Sequence, residues 1–203
     1  MSLYEFERER REQQGLELIC GVDEAGRGPL AGPVYAAAVI LPGDAEIEGL
    51  NDSKKLTEKK REALFDEITA RAVAYQICAV DEKTIDEINI LQATLLAMRR
   101  CVLGLAVRPQ AVYIDGNQMP DLGGLKAECV VGGDASSASI AAASILAKVS
   151  RDRYMARMAE QYPQYQFERH KGYGTKLHYQ MLEQYGMSPI HRRSFLKKWE
   201  ARR

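Results

Sequence analysis

The stretch Ile19-Cys20-Gly21-Val22-Asp23-Glu24-Ala25-Gly26-Arg27-Gly28-Pro29 carries an apolar run into two adjacent carboxylates and then into a glycine–arginine–glycine turn. Carboxylates at the end of a core strand repel each other and lose hydration, so they call for protons or a cation. The glycines beside them let backbone come close to a ligand. This combination points to metal and phosphate chemistry; an exposed Asp-Glu pair leading into an ordinary turn is the bland alternative. Two later acids repeat the pattern. Asp115 closes the apolar run Ala111-Val112-Tyr113-Ile114 and precedes Gly116-Asn117, and Asp134 follows Cys129-Val130-Val131-Gly132-Gly133. Taken singly, Asp115 also reads as a turn initiator and Asp134 as a helix cap. Acids at several strand ends can converge on one rim of a sheet. Oxygen-only ligands favour Mg²⁺ or Mn²⁺ over zinc. A Ser–His–Asp arrangement finds no support, since His170, His178 and His191 all lie in the C-terminal part beside basic residues. One geometric difficulty remains. Neighbours on a regular strand face opposite ways, so Asp23 and Glu24 share a ligand set only through a twist, a bulge or a backbone carbonyl. Asp23 is the central candidate.

The elements that must hold these residues follow from hydrophobic period and punctuation. A short charged helix is expected from Leu3 to Gln14, ended by Gly15. Leu16 to Val22 and Pro33 to Leu41 read as strands, with Gly26 to Gly32 as their hairpin connection. After the polar loop Asn51-Asp52-Ser53-Lys54-Lys55-Leu56, a helix capped by Thr57 should bury Ala63, Leu64, Ile68 and Ala72. Val73 to Val80 is a third strand. Asp81 to Leu105 is helical with a break near Ile88-Asn89. Ala111 to Ile114 and Cys129 to Val131 complete the sheet. An Ala- and Ser-rich helix runs from Ala135, and Tyr165 to Arg203 forms a basic, aromatic region in two helical pieces. Strands first, then strands alternating with helices, predict an α/β fold with a mixed sheet covered by helices.

The chain has 203 residues and a formal net charge of zero, enough for one domain with a real core. The distribution is less even than the total. From Lys148 onward, thirteen Lys or Arg face five Asp or Glu, a nucleic-acid footprint or a solvated helical face. Cys20, Cys78, Cys101 and Cys129 form no CxxC pair, and three of them sit in apolar runs that suggest burial in a reducing compartment. The start lacks the apolar stretch of a signal peptide, and no run is long enough to span a bilayer.

The opening motif resembles the signature of ribonuclease HII, the type 2 RNases H. So do Asp52-Ser53-Lys54-Lys55-Leu56, Tyr113-Ile114-Asp115-Gly116, Ala142-Ala143-Ser144-Ile145-Leu146-Ala147-Lys148-Val149 and His170-Lys171-Gly172-Tyr173-Gly174-Thr175, in the family's order and over roughly Leu16 to Pro189. The resemblance implies an RNase H-like fold with a small C-terminal helical region: residues 1–160 as the catalytic region and 161–203 as a basic helical region packed within the same domain. It implies a divalent-metal site of four carboxylates, which carries over to Asp23, Glu24, Asp115 and Asp134, with Asp152 as a reserve whose place inside a helix suits a salt bridge better. It implies hydrolysis of the RNA strand of RNA–DNA hybrids and cleavage 5′ of ribonucleotides embedded in duplex DNA, leaving 5′-phosphate and 3′-hydroxyl ends. Two ions about 4 Å apart suit such an in-line displacement.

The same resemblance assigns the backbone of Gly26-Arg27-Gly28 to the ribose 2′-OH, the atom that separates RNA from DNA. It places Tyr173 on a sugar near the junction, Lys54, Lys55 and Lys171 on phosphates, and Asn89 and Gln92 on the DNA backbone. Without it, each of these reads as a tight turn, a loop aromatic, a solvated lysine or a solvent-facing helix residue. The expectation is a cytoplasmic, monomeric enzyme using Mg²⁺ or Mn²⁺. Another two-metal nuclease on the same fold is the first rival. A noncatalytic hybrid-binding protein is the second, and the presence of all four acids counts against it.

Overall fold

In a computed structural model of the chain, residues 3–201 are described. Met1, Ser2, Arg202 and Arg203, the extremes of the expected charged start and basic end, lie outside them. Helix α1 (Glu5–Gln14) ends at Gly15 in a left-handed conformation, φ 63°, which glycine adopts without steric cost. Glu7 of α1 is buried and accepts hydrogen bonds from Ser137 Oγ (2.7 Å), Ser139 N (2.7 Å) and Ser139 Oγ (3.0 Å). A carboxylate on the start of the longest helix fits the unpaired N–H groups there.

Strands β1 (Ile19–Ala25) and β2 (Val34–Ile40) are antiparallel, with Asp23 opposite Ala37 and Glu24 opposite Ala36. Helix α2 (Glu58–Arg71) starts at Thr57, whose hydroxyl accepts from Lys60 N, as expected. Strand β3 (Ala74–Val80) pairs antiparallel with β2. Helix α3 (Glu82–Leu103) is broken at Asn89, φ 67°, where a break was expected. Strands β4 (Ala111–Asp115) and β5 (Ala127–Val130) add in parallel, giving a mixed sheet of order β3-β2-β1-β4-β5. Helix α4 (Ala138–Gln161) follows, then the short helices α5 (Phe167–His170), α6 (Lys176–Tyr185) and α7 (Arg193–Glu200).

The sheet separates two apolar layers. Cys20, Val22, Ala36, Ala38 and Ile40 pack toward α3, while Ala37 and Val39 pack toward α4 and α2. Strand alternation produces both faces from one sequence. Helix α4 rides close on β1, because a Cβ on Gly21 would stand 2.2 Å from Ile140 N. Among the described residues, no helix is long and apolar enough to cross a membrane.

Four local expectations are corrected. β1 covers Ile19–Ala25 rather than Leu16 to Val22, so both acids lie within the strand. α4 begins at Ala138 rather than Ala135, because Gly133–Ala135 forms a separate 3₁₀ turn. The segment after Tyr165 makes three short helices rather than two, since Lys171 and Gly172 take positive φ (49° and 85°) and stop α5. Cys20 and Cys101 are buried, but Cys78 and Cys129 are only half-buried.

Candidate active site

β1 and β4 run parallel side by side, so the end of one brings Asp23 near the end of the other at Asp115. Asp134 arrives from the 3₁₀ turn after β5. Asp115 Oδ1 accepts from Gly133 N at 2.7 Å, which ties that turn to the end of β4. The cap of α4 is Ser137, whose Oγ accepts from Ile140 N, so Asp134 is not spent on capping. Asp23, Asp115 and Asp134 each offer a carboxylate oxygen within 4.8 Å of the others.

Glu24, the next residue along β1, lies near Asp23 and feels the charge of Asp115. It pairs with Arg27 at 3.6 Å and is not one of the three converging acids. Asp152 is removed from the group altogether. It is buried in α4, held by Lys148 Nζ at 2.5 and 2.7 Å and by Arg61 at 3.7 Å, the salt bridge that its helical position suggests.

The electrostatics are those of a site short of positive charge. Burial first, then the charges of Glu24 and Asp115, push the Asp23 carboxyl well above the usual carboxylate range, against a hydrogen bond from Ser144. Burial and Asp134 raise Asp115, while N–H groups of Gly133 and Asp134 oppose the rise. Burial raises Glu24, Arg27 opposes, and Asp115 adds to the rise. Lys54 reaches the rim from the Asp52–Leu56 loop, with Nζ 3.3 Å from Asp134 Oδ2. Burial lowers its pKa, but Asp134 together with Asp52 and Asp23 outweighs that and the net shift is upward. Asp52 holds this loop in place by accepting from Lys54 N at 2.9 Å. An oxygen-only cluster with carboxyls pushed up by burial and mutual repulsion is the donor set a hard divalent cation needs.

The loop Gly26 to Gly32 lies next to this rim. Arg27 and Gly28 are exposed, and a Cβ on Gly28 would stand 3.7 Å from Tyr173 Cε1. Tyr173 is 46% exposed, so the ring is available beside the turn. Lys55 is exposed, and Lys171 is half-buried with its carbonyl accepting from Arg151 at 3.1 Å. Gln92 is exposed on α3. Asn89 is exposed too, but its Oδ1 accepts from Leu91 N and Gln92 N and so caps the second half of α3.

Two side chains that hold this region carry no signal in the sequence. Arg151 and Arg192 are buried and donate to carbonyls of the Gly26–Pro33 segment. Each sits among other basic residues, and nothing local marks which one turns inward. Arg192 is therefore not available to a phosphate, unlike its exposed neighbours Arg193, Lys197 and Lys198.

Carboxylate oxygens gathered at the end of parallel strands in an RNase H-like sheet define a divalent-metal-dependent phosphodiester hydrolase. The family model described as Ribonuclease HII matches residues 20–198. A ribonuclease HII of Caldicellulosiruptor bescii is 56% identical over 184 residues, 91% of this chain and 89% of the relative. One from Acetivibrio thermocellus is 55% identical over 199 residues, covering 98% and 76%. The crystal structure of ribonuclease H2 from Pyrococcus horikoshii superposes with a TM-score of 0.76 at 30% identity, covering 91% of this chain and 98% of that one. The chain belongs to the ribonuclease HII family, metal-dependent endoribonucleases that cleave RNA in RNA–DNA hybrids and ribonucleotides in DNA.

Proposed function

We propose that Asp23, Asp115 and Asp134, with Glu24 completing the set, hold Mg²⁺ or Mn²⁺ and cut the phosphodiester 5′ of a ribonucleotide, leaving 5′-phosphate and 3′-hydroxyl ends. The observation that carries this reading is the meeting of three carboxylates within 4.8 Å directly beside a glycine turn lined by Tyr173. Bound divalent cations would activate a water and neutralise the leaving 3′-oxygen in an in-line displacement. Glu24 would join by exchanging Arg27 for the cation.

The chain's own groups do the rest. The backbone of Gly26-Arg27-Gly28 reads the 2′-OH through the polar groups left free once the Gly26 and Arg27 carbonyls accept from Arg192, since no side chain at Gly28 keeps the sugar away. The exposed Tyr173 ring stacks on the adjoining sugar and sets the scissile phosphate over the acids. Lys54, Lys55 and Lys171 contact phosphates, and Lys54 also screens Asp134 until substrate arrives. Gln92 and the amide nitrogen of Asn89 reach the DNA backbone, the Asn89 oxygen being committed to the helix. Residues 161–203 are read as one domain with residues 1–160, a reading supported by the hydrogen bonds from Leu30 N to Gly172 O and from Arg192 N to Leu30 O, both at 2.8 Å. The working form is a cytoplasmic monomer.

The test is cleavage of three labelled duplexes with Mg²⁺ or Mn²⁺: one ribonucleotide in DNA, a continuous hybrid, and the all-deoxy counterpart. Cutting of the first two with 3′-hydroxyl ends, and none of the third, is the expected result. Equal rates on ribose and deoxyribose duplexes would overturn the reading.

A further inference from the structure

Arg192 stands beside Arg193 in a basic segment, yet its side chain has no exposed surface. Nε donates to Gly32 O at 2.8 Å. Nη1 donates to Arg27 O at 2.9 Å and Pro29 O at 2.8 Å, and Nη2 donates to Gly26 O at 2.6 Å. One guanidinium thus gathers four carbonyls of a seven-residue loop. Arg151 holds the far side, donating to Ala31 O at 3.1 Å and Pro33 O at 3.4 Å. Neither guanidinium forms an ion pair among the described residues. A buried cation whose direct partners are carbonyl dipoles, with Glu82 and Asp86 acting on Arg192 and Asp152 and Glu82 on Arg151 without an ion-pair contact, is costly, and an apolar side chain of similar volume is often the more stable filling. The arrangement therefore does something other than fill space.

Peptide geometry shows what it does. No peptide bond among the described residues is cis, and in a planar trans unit C=O and N–H point opposite ways. With the carbonyls of Gly26 and Arg27 turned onto Arg192, the N–H groups of Arg27 and Gly28 are turned away from it. Among the described residues neither makes a backbone hydrogen bond, both residues are exposed, and Tyr173 borders Gly28. Arg192 is itself fixed at the start of α7. Its N–H donates to Leu30 O at 2.8 Å, and Asp86 accepts from Arg193 N and Ser194 N, each at 2.9 Å.

We propose that Arg192 is the positioning residue for ribose recognition: by collecting the loop's carbonyls, it presents the N–H groups of Arg27 and Gly28 to the 2′-oxygen of the substrate. This rests on the assignment of that loop to the ribose. It makes the C-terminal segment part of the specificity apparatus rather than only a basic surface.

Wild type, Arg192→Lys and Arg192→Met are compared on the single-ribonucleotide duplex, with kcat and KM measured separately, Mn²⁺ affinity by calorimetry and the melting midpoint. A misplaced loop should lower kcat of Arg192→Met about 100-fold, with KM and Mn²⁺ affinity within about threefold of wild type. Arg192→Lys should recover part of kcat, since an ammonium keeps some of the carbonyls. A folded Arg192→Met with wild-type kcat overturns the proposal. So does a loss seen equally in KM and Mn²⁺ affinity, a lysine variant no better than methionine, or failure of both variants to fold, which would make Arg192 a folding residue only. If wild type itself fails to distinguish ribose from deoxyribose, it is the assignment of the loop that falls, whatever the variants do.

Discussion

At the scale of single residues, Asp115 separates the cost of the cluster from its use. Its carboxyl is raised by burial and by Asp134. A carboxylate whose folded pKa exceeds its unfolded value destabilises the fold once ionised, and that penalty fades as pH falls through the folded pKa. Asp115→Asn removes the charge, while its Oδ1 still accepts from Gly133 N. Cleavage should fall more than about 100-fold, beyond what loss of a supporting contact costs, while the melting midpoint in EDTA rises. Full activity at saturating Mg²⁺ would remove Asp115 from the site. Tyr173 is a test of a different kind, because it lines the turn without touching the acids. Tyr173→Ala should lower turnover on a single-ribonucleotide duplex several-fold more than on a continuous hybrid, roughly the 1–3 kcal/mol of one stacked base, since a hybrid offers many registers for productive binding. Equal losses on both duplexes would end its junction role.

At the scale of elements, the segment after α4 is organised by three buried histidines. His191 Nδ1 accepts from Ser188 N at 2.8 Å, so its proton is on Nε2, which donates to His178 Nε2 at 2.9 Å. His178 then carries its proton on Nδ1 and donates to Tyr173 O at 2.9 Å. The chain works only with both rings neutral. Burial holds His178 down at about 4, with His170 adding to the fall; burial and then His178 hold His191 down at about 3. A histidine whose folded pKa lies below its unfolded value loses stability as pH falls, here from about 6.5 toward 4. One such ring costs roughly 3 kcal/mol by pH 4. The melting midpoint should therefore drop steeply over that interval, and His178→Gln with His191→Gln should flatten the slope; an unchanged slope would exclude the pair as the titrating groups. None of this was legible beforehand, because hydrogen bonds between residues far apart in sequence leave no local pattern. The sheet was legible, since Val34 to Ile40 and Ala111 to Ile114 are apolar throughout. The end of β1 was not: the polar pair Asp23-Glu24 looked like the exit of the strand, yet pairing with β2 continues through Ala25.

For the whole molecule, composition concealed a division of charge that the fold makes spatial. Three carboxylates meet at the rim of the sheet, and the basic residues concentrate in α4 and the segments after it, where sequence already located them. What sequence could not do was sort those residues by direction. In α7, Leu196 packs with Leu30 and Leu182, which leaves Arg193, Lys197 and Lys198 on the exposed side, while Arg192, just before the helix, turns fully inward. Four adjacent-looking cations thus divide into one that positions a loop and three that face solvent, and only the three can contribute counterion release on binding nucleic acid. Replacing Arg193, Lys197 and Lys198 together by Gln should weaken binding of a hybrid or a ribonucleotide-containing duplex uniformly. It should also reduce the slope of log affinity against log salt by up to about three, near one per lost phosphate contact. Turnover at saturating substrate should hardly change, because none of the three touches the acids or the Gly26–Gly28 turn. Binding measured across a salt series for wild type and the triple variant decides the matter: an unchanged slope would make this face of α7 a solvated surface and place the electrostatic footprint on Lys54, Lys55 and Lys171 instead.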